Sequence, residues 1–296
     1  MLSVLVPIYN FDSRDLIQDL SKQCVLSQIE FEIICFDDHS HLDFTSKNKV
    51  IKDVTGVQYL ELSKNIGRAA IREKLAQSAK YSKLLFLDCD VKLADDNFIK
   101  NYLNNFKPKV TVGGIIYQKT EPQESNFILR WKYGIERECL TAKARKNSSF
   151  IHFLASNLLM DKELFLSIPR QNDISGYGHE DTWLGIQILE KKVTVNHIDN
   201  PVYHIGLDTA TDFLNKSISG VQNLVRLYLS GTKCDDLKLI SVFNFLKKYK
   251  LLGLVFSVLK FRVDSLEKNL KSNSPNLSFF DQWKLYQFIF FYQKLS

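Results

Sequence analysis

Several common signals are missing from this 296-residue chain, and each absence excludes a class of protein. Its five cysteines (Cys24, Cys35, Cys89, Cys139 and Cys234) are odd in number, widely spaced and contain no C-x-x-C pair. That usage fits a reducing compartment and excludes a disulfide framework or a cysteine zinc site. No stretch reaches the ~18 uninterrupted apolar residues that a membrane span needs. No G-x-G-x-x-G follows the first apolar run and no G-x-x-x-x-G-K-[ST] occurs, so neither the usual dinucleotide turn nor a P-loop is available. An excess of either charge is also missing from most of the chain. Residues 1–232 carry 28 basic and 28 acidic groups, whereas residues 233–296 carry 11 against 5 and account for the whole net charge of +6. A neutral body argues against general nucleic-acid binding and leaves only the basic tail to meet an acidic surface. The opening residues 2–7 read as a strand, too short and without the charged flank of a signal peptide, so a cytoplasmic location is expected.

What is present is the alternation of an α/β protein. Apolar runs at 2–6, 31–36, 57–62, 83–87 and 110–116 read as strands. Between them, helical spacing recurs at Leu16, Ile17, Leu20 and Cys24, again over 68–79, and over 96–106. Strands alternating with helices at this spacing predict βαβ units and a mainly parallel sheet. The second half is less regular: a polar loop over 117–126, a helix over 127–140, an apolar run over 150–160 around Ser156-Asn157, a loop over 168–178, a helix over 181–191, and short strands at 193–197 and 202–205. From Asp212 onward the pattern is helical. The expected division is an α/β domain over 1–211, with a regular half at about 1–116 and a less regular half at about 117–211, followed by a helical region over 212–296.

Three strands end in polar or acidic residues: Tyr9-Asn10, Asp37-Asp38 and Asp88-Cys89-Asp90. In a parallel sheet these ends share one edge, where open α/β sheets hold ligands. Residues i and i+2 of an extended chain point to the same side, so Asp88 and Asp90 repel each other unless a cation sits near them. A hard cation that also carries phosphate oxygens suits such a pair. If a phosphate binds there, Arg68 and Arg72, at the start of the helix over 68–79, are the side chains placed to neutralise it.

Val6-Pro7-Ile8-Tyr9-Asn10, Phe36-Asp37-Asp38-His39-Ser40, Asn65-Ile66-Gly67-Arg68-Ala69-Ala70-Ile71-Arg72 and Asp88-Cys89-Asp90, in that order, resemble the motifs of family 2 glycosyltransferases with the GT-A fold. The resemblance covers roughly residues 2–210. It implies a Rossmann-like, mainly parallel sheet flanked by helices, with Pro7 and Tyr9 lining a base pocket and Asp38 bonding uracil. Arg72 and Arg68 would face the nucleotide, Asp88 would reach the ribose or sugar, and Asp90 would ligate Mn²⁺ or Mg²⁺ carried by the diphosphate. Gly176-Tyr177-Gly178-His179-Glu180-Asp181 resembles the G-x-G-x-E-D loop of galactosyltransferase-like enzymes. By that likeness Asp181 is the general base and Glu180 orients acceptor or donor; a carboxylate within reach of a hydroxyl can take its proton. His204 occupies the place of a second metal ligand, and neutral imidazole suits Mn²⁺. Asn157 falls where relatives line the donor-sugar pocket.

The activity implied is inverting transfer of a sugar from a UDP-sugar to a glycan or lipid-linked glycan. Two other readings stay open: a nucleotidyltransferase, although the loop after the first strand lacks the expected glycines and basic residues, and a non-catalytic subunit of a polysaccharide-assembly complex. In the tail, residues 237–263 hold six basic residues and no acid among many apolar ones. That composition suits an anionic membrane surface, which would place the protein peripherally at the inner face of the membrane; a helical cap on the catalytic domain is the alternative.

Overall fold

The computed structural model describes residues 1–105, 109–147, 153–170, 174 and 176–296. Within them the strands are β1 (Leu2–Ile8), β2 (Phe31–Asp37), β3 (Val57–Glu61), β4 (Lys83–Leu87), β5 (Val91–Leu93), β6 (Val110–Val112), β7 (Ile115–Ile116), β8 (Asn157–Asp161), β9 (Val195–His197) and β10 (Val202–His204). The helices of the body are α1 (Arg14–Leu26), α2 (Leu42–Asn48), α3 (Arg68–Ser78), α4 (Phe98–Asn105), α5 (Ile128–Tyr133), α6 (Ala142–Lys146), α7 (Lys162–Leu166) and α8 (Glu180–Glu190). Four more follow: α9 (Ala210–Leu229), α10 (Lys238–Lys248), α11 (Leu252–Leu270) and α12 (Leu277–Leu295). The start of the apolar run from Phe150, and part of the loop expected over 168–178, lie outside the described residues.

Seven strands form one sheet in the order β3-β2-β1-β4-β8-β6-β9. The β3-β2-β1-β4 half is parallel, and β8 runs antiparallel to both β4 and β6. The parallel strands are continuous apolar runs because both faces are covered. Leu2, Val4, Val6 and Ile8 pack on one side with Leu16, Ile17 and Leu20 of α1 and Phe98 and Tyr102 of α4. Leu5, Ile34, Leu84 and Phe86 face the other side, against Ile71 and Leu75 of α3, Leu164 of α7, and Leu184 and Ile188 of α8. This is a three-layer α/β sandwich, as the alternation predicts.

The expected fifth strand breaks in two at Gly113-Gly114, and β7 joins β5 and β10 in a separate three-stranded sheet. Gly114 has φ +94°, and a Cβ on either glycine would collide with neighbouring atoms, so the break needs glycine. This small sheet is long-range, with β10 antiparallel to β5 and His204 opposite Val91.

The four terminal helices pack onto the body through two apolar clusters. Ile186 of α8 meets Val221, Leu224 and Val225 of α9, together with Ile240, Phe243 and Phe288. Leu129 of α5 meets Leu214, Leu266, Leu270, Phe280 and the fully buried Trp283. The Trp283 indole donates to Glu267 at 2.9 Å, satisfying the one polar atom that its burial would otherwise strand.

Candidate active site

Strands β1, β2 and β4 deliver their carboxyl ends to one sheet edge. Asp37 is fully buried and accepts from the Ser40 amide at 2.7 Å and the Tyr59 hydroxyl at 3.2 Å. Next to it, Asp38 accepts from the Ile66 and Gly67 amides at 2.7 and 2.9 Å. Those bonds fix the turn that starts α3, where Gly67 at φ +82° takes a backbone angle an L side chain rarely adopts. Both Asp38 oxygens therefore have an anchoring duty that the expected contact to uracil did not include. Tyr9, just past β1, is half exposed beside the edge, and Pro7 is partly buried within β1.

Asp88 and Asp90 part company. Strand β4 ends at Leu87 and the chain turns at Cys89-Asp90, so the rule for extended chain does not apply. The Asp88 carboxylate goes to two guanidinium groups: Arg68 Nη2 donates to it at 2.5 Å and Arg72 Nη2 at 2.7 Å. Burial pushes its pKa upward, but Arg68 and Arg72 outweigh burial and hold it down at about 2. The neighbour expected to neutralise Asp88 was a cation shared with Asp90; the side chains of α3 do so instead.

Asp90 turns to β10. Because β10 pairs with β5, the Ile205 amide donates to the Asp90 carbonyl at 2.9 Å, and His204 Nε2 comes within 3.3 Å of Asp90 Oδ2. The Tyr117 ring stacks on the His204 imidazole with centroids 5.2 Å apart. Tyr117 is in turn hydrogen-bonded to Glu138, which accepts from both terminal nitrogens of Arg130 at 3.2 Å. Nδ1 of His204 is buried without a partner among the described residues, so the Tyr117 stack and the Nε2 contact to Asp90 orient the imidazole. One carboxylate oxygen and one imidazole nitrogen converging on one point suit a divalent ion such as Mn²⁺. No third His, Cys, Asp or Glu joins them among the described residues. Such a site fits an ion that keeps open positions for phosphate oxygens and water.

Glu180 and Asp181 open α8, following a loop with three left-handed residues: Gly176 (φ +72°), Gly178 (φ +98°) and His179 (φ +69°). The loop is seated on α9, where a Cβ on Gly178 would lie 2.8 Å from the Gly220 Cα. His179 is partly buried with its Nδ1 3.0 Å from the Thr182 hydroxyl, and desolvation depresses its pKa to about 4, so it is neutral beside the acids. Asp181 Oδ2 accepts from the Ala155 amide and Oδ1 from Arg72 Nη1, both at 3.1 Å. Glu180 lies 3.6 Å from Arg68 and 3.7 Å from Arg72. Burial raises the Asp181 pKa to about 6, with the opposing pull of Arg72 too weak to cancel it. Arg72 thus bridges Asp88 and Asp181 from beneath, its side chain 5% exposed, while Arg68 is 35% exposed. Both were expected to face the nucleotide; of the two, Arg68 is the more open to a phosphate.

Asn157 also differs from expectation. Its amide is consumed inside the fold, donating to the Gly114 and Asn200 carbonyls at 2.8 Å and accepting from the Tyr102 hydroxyl at 2.5 Å. It holds the Gly113-Gly114 break rather than facing a sugar. The Tyr117–Glu138–Arg130 group was not foreseen; an isolated glutamate on a helix and a tyrosine heading a loop carry no signal in one sequence.

The family model for glycosyl transferase family 2 matches residues 3–166. Among solved structures, mannosyl-3-phosphoglycerate synthase from Rubrobacter xylanophilus aligns with a TM-score of 0.55 at 16% identity, over 78% of this chain and 75% of that one. A mannosyltransferase from Pyrobaculum calidifontis, in complex with GDP-Man and Mn²⁺, gives a TM-score of 0.55 at 12% identity, over 99% and 86%. Glucosyl-3-phosphoglycerate synthase from Mycobacterium tuberculosis, in complex with phosphoglyceric acid, gives 0.51 at 14%, over 77% and 78%. At such identities the likeness is one of fold. No curated protein sequence matches the chain.

Proposed function

The chain belongs to glycosyl transferase family 2, and from that premise we propose that it moves a sugar from a UDP-sugar to a hydroxyl of a glycan or lipid-linked glycan, with inversion at the anomeric carbon. The observation that carries this reading is the meeting, at one sheet edge, of a partly buried carboxylate, Asp181, with pKa raised to about 6, and a histidine–aspartate pair 3.3 Å apart.

Asp90 and His204 would hold Mn²⁺ or Mg²⁺. When bound, that ion would supply positive charge for the diphosphate leaving group. Arg68, the more exposed of the two guanidinium groups, would add charge there although it is also paired with Asp88. Asp181 is the base: near neutral pH it is ionised yet close enough to its pKa to accept a proton readily. Its two hydrogen bonds leave lone pairs free for the acceptor hydroxyl. As the acceptor oxygen bonds to the anomeric carbon, its proton passes to Asp181. The bond from that carbon to the phosphate oxygen breaks, and its electron pair leaves with the nucleoside diphosphate. Arg72 holds Asp181 and Asp88 in fixed relation, and Glu180, next on the helix, orients the acceptor or donor. Tyr9 and Pro7 would flank the base.

Calorimetric titration of UDP into the protein, with Mn²⁺ and with EDTA, tests the reading. Binding should require the metal, and Asp90→Ala should remove the requirement together with the binding. Equal binding in EDTA, or GDP bound where UDP is not, would overturn the metal or the nucleotide assignment respectively.

A further inference from the structure

The terminal helices bury one face against the body and leave another uncovered. In α10 the inward residues are Ile240, Phe243 and Leu246, whereas Val242 and Phe245 point outward, continued by Tyr249. In α11 the outward set is Leu254, Val258 and Phe261, at i, i+4 and i+7, with Leu251 just before it. These spacings put each set on one stripe of its helix. Of the 21 large apolar side chains that stand exposed among the described residues, seven fall within these 20 positions, and Phe261 is 91% exposed. Isolated exposed apolar residues are ordinary, but paired stripes on consecutive helices are not.

The charge beside the stripes identifies the occupant. Residues 237–263 hold six basic residues and no acid. Lys238 is taken by Asp281 at 3.5 Å, Lys247 donates to the Tyr292 hydroxyl at 2.9 Å, and Arg262 lies over the Phe279 ring. Lys248, Lys250 and Lys260 are exposed and pair with no carboxylate among the described residues, Lys248 lying over the neighbouring Tyr249 ring. A second copy of the chain is a poor cover, because a two-fold contact sets the same surface against itself and these lysines against each other. None of the described helices is long and apolar enough to cross a membrane. A surface with protruding aromatic and aliphatic tips beside unpaired lysines is suited to lie in the headgroup layer.

We propose that the outward stripes of α10 and α11, with Lys248, Lys250 and Lys260, form a docking surface for an anionic lipid bilayer. This rests on the helical tail alone and is independent of the catalytic reading.

The test is cosedimentation of the full chain with phosphatidylcholine vesicles prepared with and without phosphatidylglycerol. The protein should pellet with the anionic vesicles and remain in solution with the neutral ones. Each basic residue near such a surface is worth ~1 kcal/mol, so replacing the three lysines by glutamine should weaken partitioning on the order of 100-fold. Leu254→Ser with Phe261→Ser should weaken it roughly tenfold or more through lost apolar contact. Because all five side chains are exposed, circular dichroism should be unchanged, and the lysine variant tests the surface even if the serine variant fails to fold. Equal binding to neutral vesicles, no vesicle binding, or a dimer that the serine variant dissociates would each overturn the proposal. So would preferential capture by a soluble acidic polypeptide in competition with the vesicles.

Discussion

Asp181→Asn separates chemistry from stability. In the wild type, burial holds this carboxyl at about 6 against an ordinary 3.8. The folded state therefore binds the proton more tightly than the unfolded chain does. The stabilisation this provides is fully present below pH 3.8 and is lost as pH rises through about 6. Its full size is about 3 kcal/mol, of which about 1.4 kcal/mol lies between pH 5 and pH 8. Asparagine has no such titration. It also keeps one acceptor oxygen where the carboxylate serves both Arg72 and the Ala155 amide, which costs about 1–3 kcal/mol for the partner left over. The two effects oppose each other at pH 8, so the variant should melt close to the wild type there. On moving to pH 5 the wild type should pull ahead by roughly 3 °C. Activity should behave quite differently. Loss of a general base lowers turnover by roughly 100- to 10,000-fold, and the wild-type limb of kcat/KM that rises with pH near 6 should vanish. Nucleotide release from the donor in the presence of acceptor, followed from pH 5 to pH 8 beside thermal unfolding, reads both. A variant that retained more than a tenth of wild-type turnover, or still showed the limb, would place the base elsewhere.

Two further outcomes follow from the geometry. Arg72→Met should destabilise the chain by about 3–5 kcal/mol, since it strips a buried charge from between Asp88 and Asp181. In whatever fraction stays folded, the activity limb near pH 6 should move upward, because Arg72 is the main group opposing burial at Asp181; urea denaturation and a pH–rate profile measure the two effects. Gly178→Ala should lower both stability and turnover, because its Cβ would strike the Gly220 Cα at 2.8 Å from a backbone angle of φ +98°, whereas Gly220→Ala meets nothing nearer than 3.7 Å and should be tolerated in both assays.

The parallel half of the fold was legible because buried strands leave a simple trace: apolar runs covered on both faces, each ending in polar residues at the ligand edge. Asp37, Asp38, Asp88 and Asp90 could be placed at that edge for this reason. Their partners could not, because partners are decided by chain returning from far away. The pairing of β10 with β5 brings His204 to Asp90, and α8 carries Asp181 to an arginine 109 positions earlier. Period-two reasoning failed at Asp88 and Asp90 because the strand stops at Leu87 and the turn redirects the second acid. Asn157 departs from expectation for a related reason: a polar residue in an apolar run signals either a ligand or an internal lock, and only Gly114, Asn200 and Tyr102 around it decide between them. The helical character of the tail was evident, but not which face of each helix would be covered.

The seat of Gly178 on Gly220 also ties a loop to a helix that is synthesised after it. The sheet edge with Asp88 and Asp90 belongs to elements that leave the ribosome early and can pack among themselves. The loop that presents Glu180 and Asp181 lacks its support until α9 emerges, and α9 is itself buttressed by Phe288 and Ile289 near the end of α12. A nascent chain halted before α9 would have the Asp88–Asp90 strand end in place but Glu180 and Asp181 without the support of α9. Under the proposed chemistry, such a chain would acquire the means to bind a donor before the means to use it.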